Sequence, residues 1–257
     1  MNPKRFANCT ITVAEIEVRK IRHDSSELWT RVIQPALWIL VFGEVFNGIR
    51  GFAPTGVPYL EFITPGILAQ SVQFIAIFYG ITIVWEKDAG LLTKLLSTPS
   101  PRSSIILGKT LAAGFRGIFQ ALMIFGLAIL LGVNLRLGPL EIAGTFFVIV
   151  LFAMCFTSLS MSLASFLKTR ERMMGIGQAI TMPLFFASNA IYPIALMPKW
   201  LQIISLGNPL TYVVDALRSM LVTGNYVHLG IDLLALIIST AVMIILATLG
   251  LKRLVDS

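Results

Sequence analysis

Few residues in this chain of 257 could do chemistry, and their spacing keeps them apart. Gly108-Lys109-Thr110 ends like a phosphate-binding loop, in which glycines let backbone N–H groups wrap a phosphate that a lysine neutralises. Such a loop needs a glycine five residues before its second glycine, and Ser103 stands there. The segment leads into an apolar helix with no strand before it, so Lys109 reads as an interfacial anchor and no ATP site is expected. The 2 histidines, His23 and His228, fall on opposite expected sides of a membrane, and neither sits in an H-E-x-x-H pattern. The 2 cysteines, Cys9 and Cys155, have no second partner nearby, which argues against a disulfide framework or a metal site. No serine, histidine and acid gather as a nucleophile with its base. No catalytic, cofactor-binding or metal-binding set is expected, and the chain does not read as an enzyme.

The frame that must position the remaining polar residues is apolar. Hydrophobic residues make up 56% and charged residues 13%, with a mean hydropathy of +0.83. Soluble domains run at about 45–50% and about 25%. A chain so poor in polar residues cannot cover its own core in water, and lipid is the solvent that fits. The net charge of +7 sits between apolar runs rather than on one polar face, so it reports membrane orientation and not nucleic-acid binding. Lys4 and Arg5 begin like a secretory signal, but Thr10, Thr12, Glu15 and Glu17 interrupt what would be its apolar core.

Crossing the hydrocarbon takes roughly 20 apolar residues. The pattern predicts six spans, near Val32–Ile49, Leu60–Val84, Gly117–Leu135, Ile142–Leu167, Met173–Ile191 and Leu229–Leu251. Sixteen of the 20 Lys and Arg then fall on one side, which puts both termini in the cytoplasm. Residues Trp200–Val222 are apolar too, but Asn208, Pro209, Asp215 and Arg218 interrupt them. A charge at mid-membrane costs about 2.5–3.5 kcal/mol. Re-entrant short helices are expected there, with Asp215 and Arg218 paired three apart. The first 28 residues predict an interfacial helix, with Ile11, Ala14, Val18 and Ile21 on its apolar face.

Ionisable groups inside a membrane are functional candidates by default. Glu44 and Glu61 lie near the outer ends of the first two spans, and Asp232 near the outer start of the last. Gln70 and Gln73 lie deeper and imply either interhelical hydrogen bonds or a substrate path. The connection after the second span holds Trp85-Glu86-Lys87-Asp88-Ala89-Gly90, then Leu91, Leu92, Leu95 and Leu96, then Pro99. It predicts a short amphipathic helix whose leucines need a cover, either lipid or another protein.

These residues resemble the coupling-helix loop of type-2 ABC exporter permeases, with Ile106-Leu-Gly-Lys109 following in order. Asn208-Pro209-Leu210-Thr-Tyr212-Val-Val-Asp215-Ala-Leu-Arg218 is similar to that family's signature, and Pro183–Pro193 to its fifth-span region. One departure is that Asp88-Ala-Gly90-Leu91 stands where many members read Glu-x-Gly-Thr. The resemblance covers nearly the whole chain and implies one all-α membrane domain over 1–257. It would comprise an interfacial helix in 1–31, a coupling loop in 85–116 and an external re-entrant segment in 192–228. It further implies a plasma-membrane homodimer driven by two copies of a separate ATPase that binds ATP and Mg, with Glu86 and Asp88 orienting the docked helix. The dominance of Phe (17, against 5 Tyr and 4 Trp) leans toward an amphipathic drug or lipid as substrate, with a polysaccharide as the further option among the family's substrates. The alternative is a secondary transporter or channel driven by an ion gradient, which would place carboxylates at mid-membrane.

Overall fold

The computed structural model describes residues 3–23, 26–47, 57–98, 100–167 and 170–256, and every regular element among them is helical. In chain order these are α1 (Pro3–His23), α2 (Ser26–Leu37), α3 (Gly43–Asn47), α4 (Tyr59–Asp88), α5 (Leu91–Ser97), α6 (Arg102–Leu130), α7 (Pro139–Ala164), α8 (Arg170–Phe186), α9 (Lys199–Leu206), α10 (Pro209–Arg218) and α11 (Leu229–Asp256). A wider turn, Trp38–Phe42, joins α2 to α3 three residues after Pro35. Proline cannot donate to the helix ladder, and such widened turns absorb the lost register.

Four described helices are long and apolar enough to cross a membrane: α4, α6, α7 and the Leu229–Leu251 part of α11. The first and fifth expected spans correspond to shorter elements, the α2–α3 run and the 17-residue α8, the latter about 25 Å long. α4 is enclosed by α6, α7, α8 and α10, and nearly all of its apolar residues are buried. Its seam with α7 is tied by Thr157 Oγ1 donating to Ala76 O (3.0 Å) and Ser160 Oγ donating to Ile77 O (2.8 Å). In contrast, α11 packs mainly on α7 and turns Ile231, Leu234, Ile238, Ile245 and Leu249 outward. A row of that length fits a surface that meets lipid or another helix.

α6 begins at Arg102, fifteen residues before the expected third span. The connection expected over 85–116 is therefore much shorter, because α4 runs on to Asp88 and only Ala89–Pro101, with α5 inside it, separates the two helices. The expected re-entrant segment is two short helices, α9 and α10, broken at Gly207–Asn208; α10 spans about 15 Å and buries Leu210, Val213, Val214 and Leu217.

Candidate functional site

At Gly90 the backbone turns through φ +69, a conformation that suits only glycine without strain, and α5 starts at the next residue. Successive helix residues lie about 100° apart, so Leu91 and Leu95 share one face while Leu92 points elsewhere. Leu91 is 47% exposed and Leu95 half-buried, whereas Leu92 is 1% exposed and joins the core of the helix bundle. The expected four-leucine docking face is thus divided, and a partner's groove cannot take Leu92. Asp88 lies exposed at the turn. The Leu96 side chain and Pro99 fall outside the described residues.

Glu86 does not face a partner either. It is buried, with Oε1 3.0 Å from Lys20 Nζ and Oε2 2.6 Å from Lys109 Nζ. Lys109 also reaches Glu17 Oε1 at 2.8 Å, and Lys20 reaches the same oxygen at 3.0 Å. Lys109 is 0% exposed, so it is the centre of a buried ionic cluster and not an interfacial anchor. Each buried ion costs several kcal/mol in desolvation, which is recovered only when partners are close and well placed. Two carboxylates and two ammoniums offset one another here, with Glu86 Oε2 held to Lys109 as an ion pair and not by a hydrogen bond. Burial pushes the Glu17 carboxyl up, but the Lys109 charge and the hydrogen bonds from Lys109 and Lys20 outweigh it and bring it from 4.5 down to about 2. A depressed carboxyl stabilises the fold fully above its unfolded value, and the gain is lost as pH falls from about 4.5 through about 2.

The cluster depends on a close helix approach. A Cβ at Gly108 would sit 2.6 Å from Val13 Cβ and 2.7 Å from Thr10 O, so only glycine lets α1 lie this near α6. The buried side of α1 is consequently Thr10, Val13, Ala14 and Glu17, while Ile11 is 61% exposed. The side packed on α6 is therefore not the same as the apolar face expected for an interfacial helix: the two share Ala14, and Ile11 stays outward. Deeper along α6, Arg116 lies 4.4 Å over the Tyr79 ring and is also buried.

The other candidates are spread along the bundle. Gln70 and Gln73 are buried in α4; Gln70 lines a cavity of about 190 Å³ with Thr30, Arg31, Gln34, Pro35, Ser71 and Phe74. Among the described residues neither Gln73 side-chain polar atom has a hydrogen-bond partner. Gln120, which the sequence reading missed, donates to Ser71 Oγ at 2.7 Å and extends this polar belt to α6. Glu61 accepts from Asn134 Nδ2 at 3.2 Å, tying the start of α4 to the turn after α6. The Glu44 side chain lies outside the described residues. Among the described residues no three His, Cys, Asp or Glu side chains are grouped as a metal site would need.

At the opposite end of α4, the Asn208–Arg218 motif forms a latch. Asn208 accepts from Leu210 N (3.0 Å), capping α10, and donates to Leu184 O (2.7 Å) at the end of α8. Pro209 occupies the first helical position, where no N–H is needed. Tyr212 donates to Leu206 O at 2.6 Å, fixing the α9–α10 turn. Arg218 lies 3.9 Å over the Phe62 ring, donates to Asn189 O at 2.8 Å and reaches Asp215 at 3.5 Å. The expected Asp215–Arg218 pair is present, but the stronger anchors of Arg218 are Phe62 and Asn189, which only the fold brings near.

A profile of the family described as ABC-2 type transporter matches residues 9–222. The chain is 30% identical over 194 residues to ycf38 of Cyanophora paradoxa, covering 73% of this chain and 65% of the relative. It is 24% identical over 246 residues to the daunorubicin resistance ABC transporter permease protein DrrB1 of Streptomyces coeruleorubidus, covering 95% and 85%. It is 24% identical over 237 residues to the inner membrane transport permease YadH of Escherichia coli K12, covering 87% and 85%. The chain spans just under two thirds of the length of the ycf38 relative.

Proposed function

The chain belongs to the ABC-2 type transporter family, and on that premise we propose that it is the membrane permease of an exporter driven by ATP bound and hydrolysed, with Mg, on a separate subunit. The observation that carries this reading is α5: a seven-residue helix set off by the Gly90 turn, presenting Leu91 and Leu95 outward beside Asp88. An apolar helix face rimmed by charge at the end of a membrane bundle is suited to a groove on a soluble partner. The working assembly is two permeases and two ATPases in the plasma membrane. Each permease makes six passes, with α1, α5 and both termini in the cytoplasm and the α9–α10 latch closing the outer end. The name of the DrrB1 relative and the Phe-rich bundle both favour an amphipathic drug or lipid as substrate.

An ion-gradient mechanism has less support. The ionic groups described above gather at the two ends of α4, and its middle offers the amides of Gln70 and Gln73 instead of carboxylates. Purification of the tagged chain from its own membranes tests the reading. We expect a nucleotide-binding ATPase to co-purify, and native mass spectrometry to give two copies of each chain. A lone permease that moves its substrate on a proton gradient would overturn it.

A further inference from the structure

The cluster of Glu17, Lys20, Glu86 and Lys109 joins three elements that are distant in sequence: α1, the last turn of α4 and the first turns of α6. Only Ala89 and Gly90 separate α4 from α5, so whatever holds Glu86 also sets where α5 is presented. Water cannot easily stand in for a missing partner, because Lys109 is fully buried and Glu17 nearly so. Stability alone does not account for such a cluster: buried ion pairs can often be replaced by apolar residues at no loss, and their best-attested use is to fix register.

We infer that these four residues are positioning residues, a charge-balanced clamp that makes α1, the end of α4 and the start of α6 move as one body and so gives α1 control over α5. The inference rests on reading α5 as the ATPase contact, but its first measurement does not. Replacing Lys109 removes the α6 ammonium that contacts both Glu17 and Glu86, while Leu91 and Leu95 stay untouched. The clamp then loosens and the docking face survives.

The test uses spin labels at Thr12 on α1 and Ser97 on α5, both exposed, in a chain with Cys9 and Cys155 replaced by alanine. The parent should give one narrow distance distribution, in the permease alone and in the assembled complex. Lys109→Met should at least double its width, whereas reversing all four charges together (Glu17→Lys, Lys20→Glu, Glu86→Lys and Lys109→Glu), which keeps every contact of the cluster between opposite charges, should leave it narrow. In the complex, Lys109→Met should keep its ATPase yet lose about tenfold in permease-stimulated ATP hydrolysis. If Lys109→Met does not assemble, Glu17→Gln, which leaves Lys109 on Glu86, takes its place with the same expectation. A distribution as narrow as the parent's in either variant would overturn the clamp. A broadened distribution in a permease that binds no ATPase would keep the clamp and sink the docking reading instead.

Discussion

Leu91→Ser with Leu95→Ser should release the ATPase from a permease that is otherwise intact. A leucine buried on docking contributes about 1.5–3 kcal/mol. Leu95 is already half-buried in the free chain, so its share is smaller, and the pair should lose about 2–4 kcal/mol. At about 1.4 kcal/mol per tenfold, that is roughly 30- to 700-fold weaker binding. Leu92→Ala should behave differently. Its side chain is 1% exposed within the permease, so truncation should remove about 2–5 kcal/mol from the fold itself. The folded fraction should still bind the ATPase. Affinity by surface capture and thermal stability in detergent would separate the two. Equal affinity losses for both variants would mean that α5 docks through another face.

The second large effect is expected at the other end of the bundle. Arg218→Met should destabilise the α9–α10 latch by about 2–4 kcal/mol, combining the loss of charge-assisted hydrogen bonds with that of the cation–π contact on Phe62. The carbonyls of Asn189 and Phe62 would lose the Arg218 donor, and Asp215 would keep its hydrogen bond from Asn189 Nδ2, at 2.5 Å. Lysine should recover only part of the loss, because a point charge cannot lie flat on the ring and also reach two carbonyls. Asp215→Asn should cost far less, since the Asp215 side chain is 41% exposed and Arg218 keeps its other contacts. A thermal-shift series across these three variants checks the order. If Asp215→Asn proved as damaging as Arg218→Met, the ion pair and not the Phe62–Asn189 seat would hold the latch.

The membrane class, the cores of α4, α7 and α11, and the break before Pro209 were legible in the sequence because each depends on local composition. α6 was not fully legible. Lys109 and Arg116 make its first half look like a loop, and only their buried partners, Glu17 with Glu86 and the Tyr79 ring, allow that half to be helix inside the bundle. Those partners are remote: Glu17 and Lys109 are 92 residues apart, and Lys20 and Glu86 are 66. The periodicity of α1 gave Glu17 no role, yet Thr10, Val13, Ala14 and Glu17 follow helical spacing, and an acid in that row was the available clue. Gly108 carried a second clue. It forms no phosphate loop; it is the contact point at which α1 crosses α6.

The claim that α5 meets the ATPase through one particular face has a direct test in cross-linking. With Cys9 and Cys155 replaced by alanine, a single cysteine is introduced as Leu91→Cys or as Leu92→Cys, and the complex is treated in native membranes with a short thiol-to-amine cross-linker. Leu91→Cys should join the permease to its ATPase, and Leu92→Cys, turned into the bundle, should not. Cross-linking through position 92 in preference to 91, or through neither while the ATPase still co-purifies, would contradict the account.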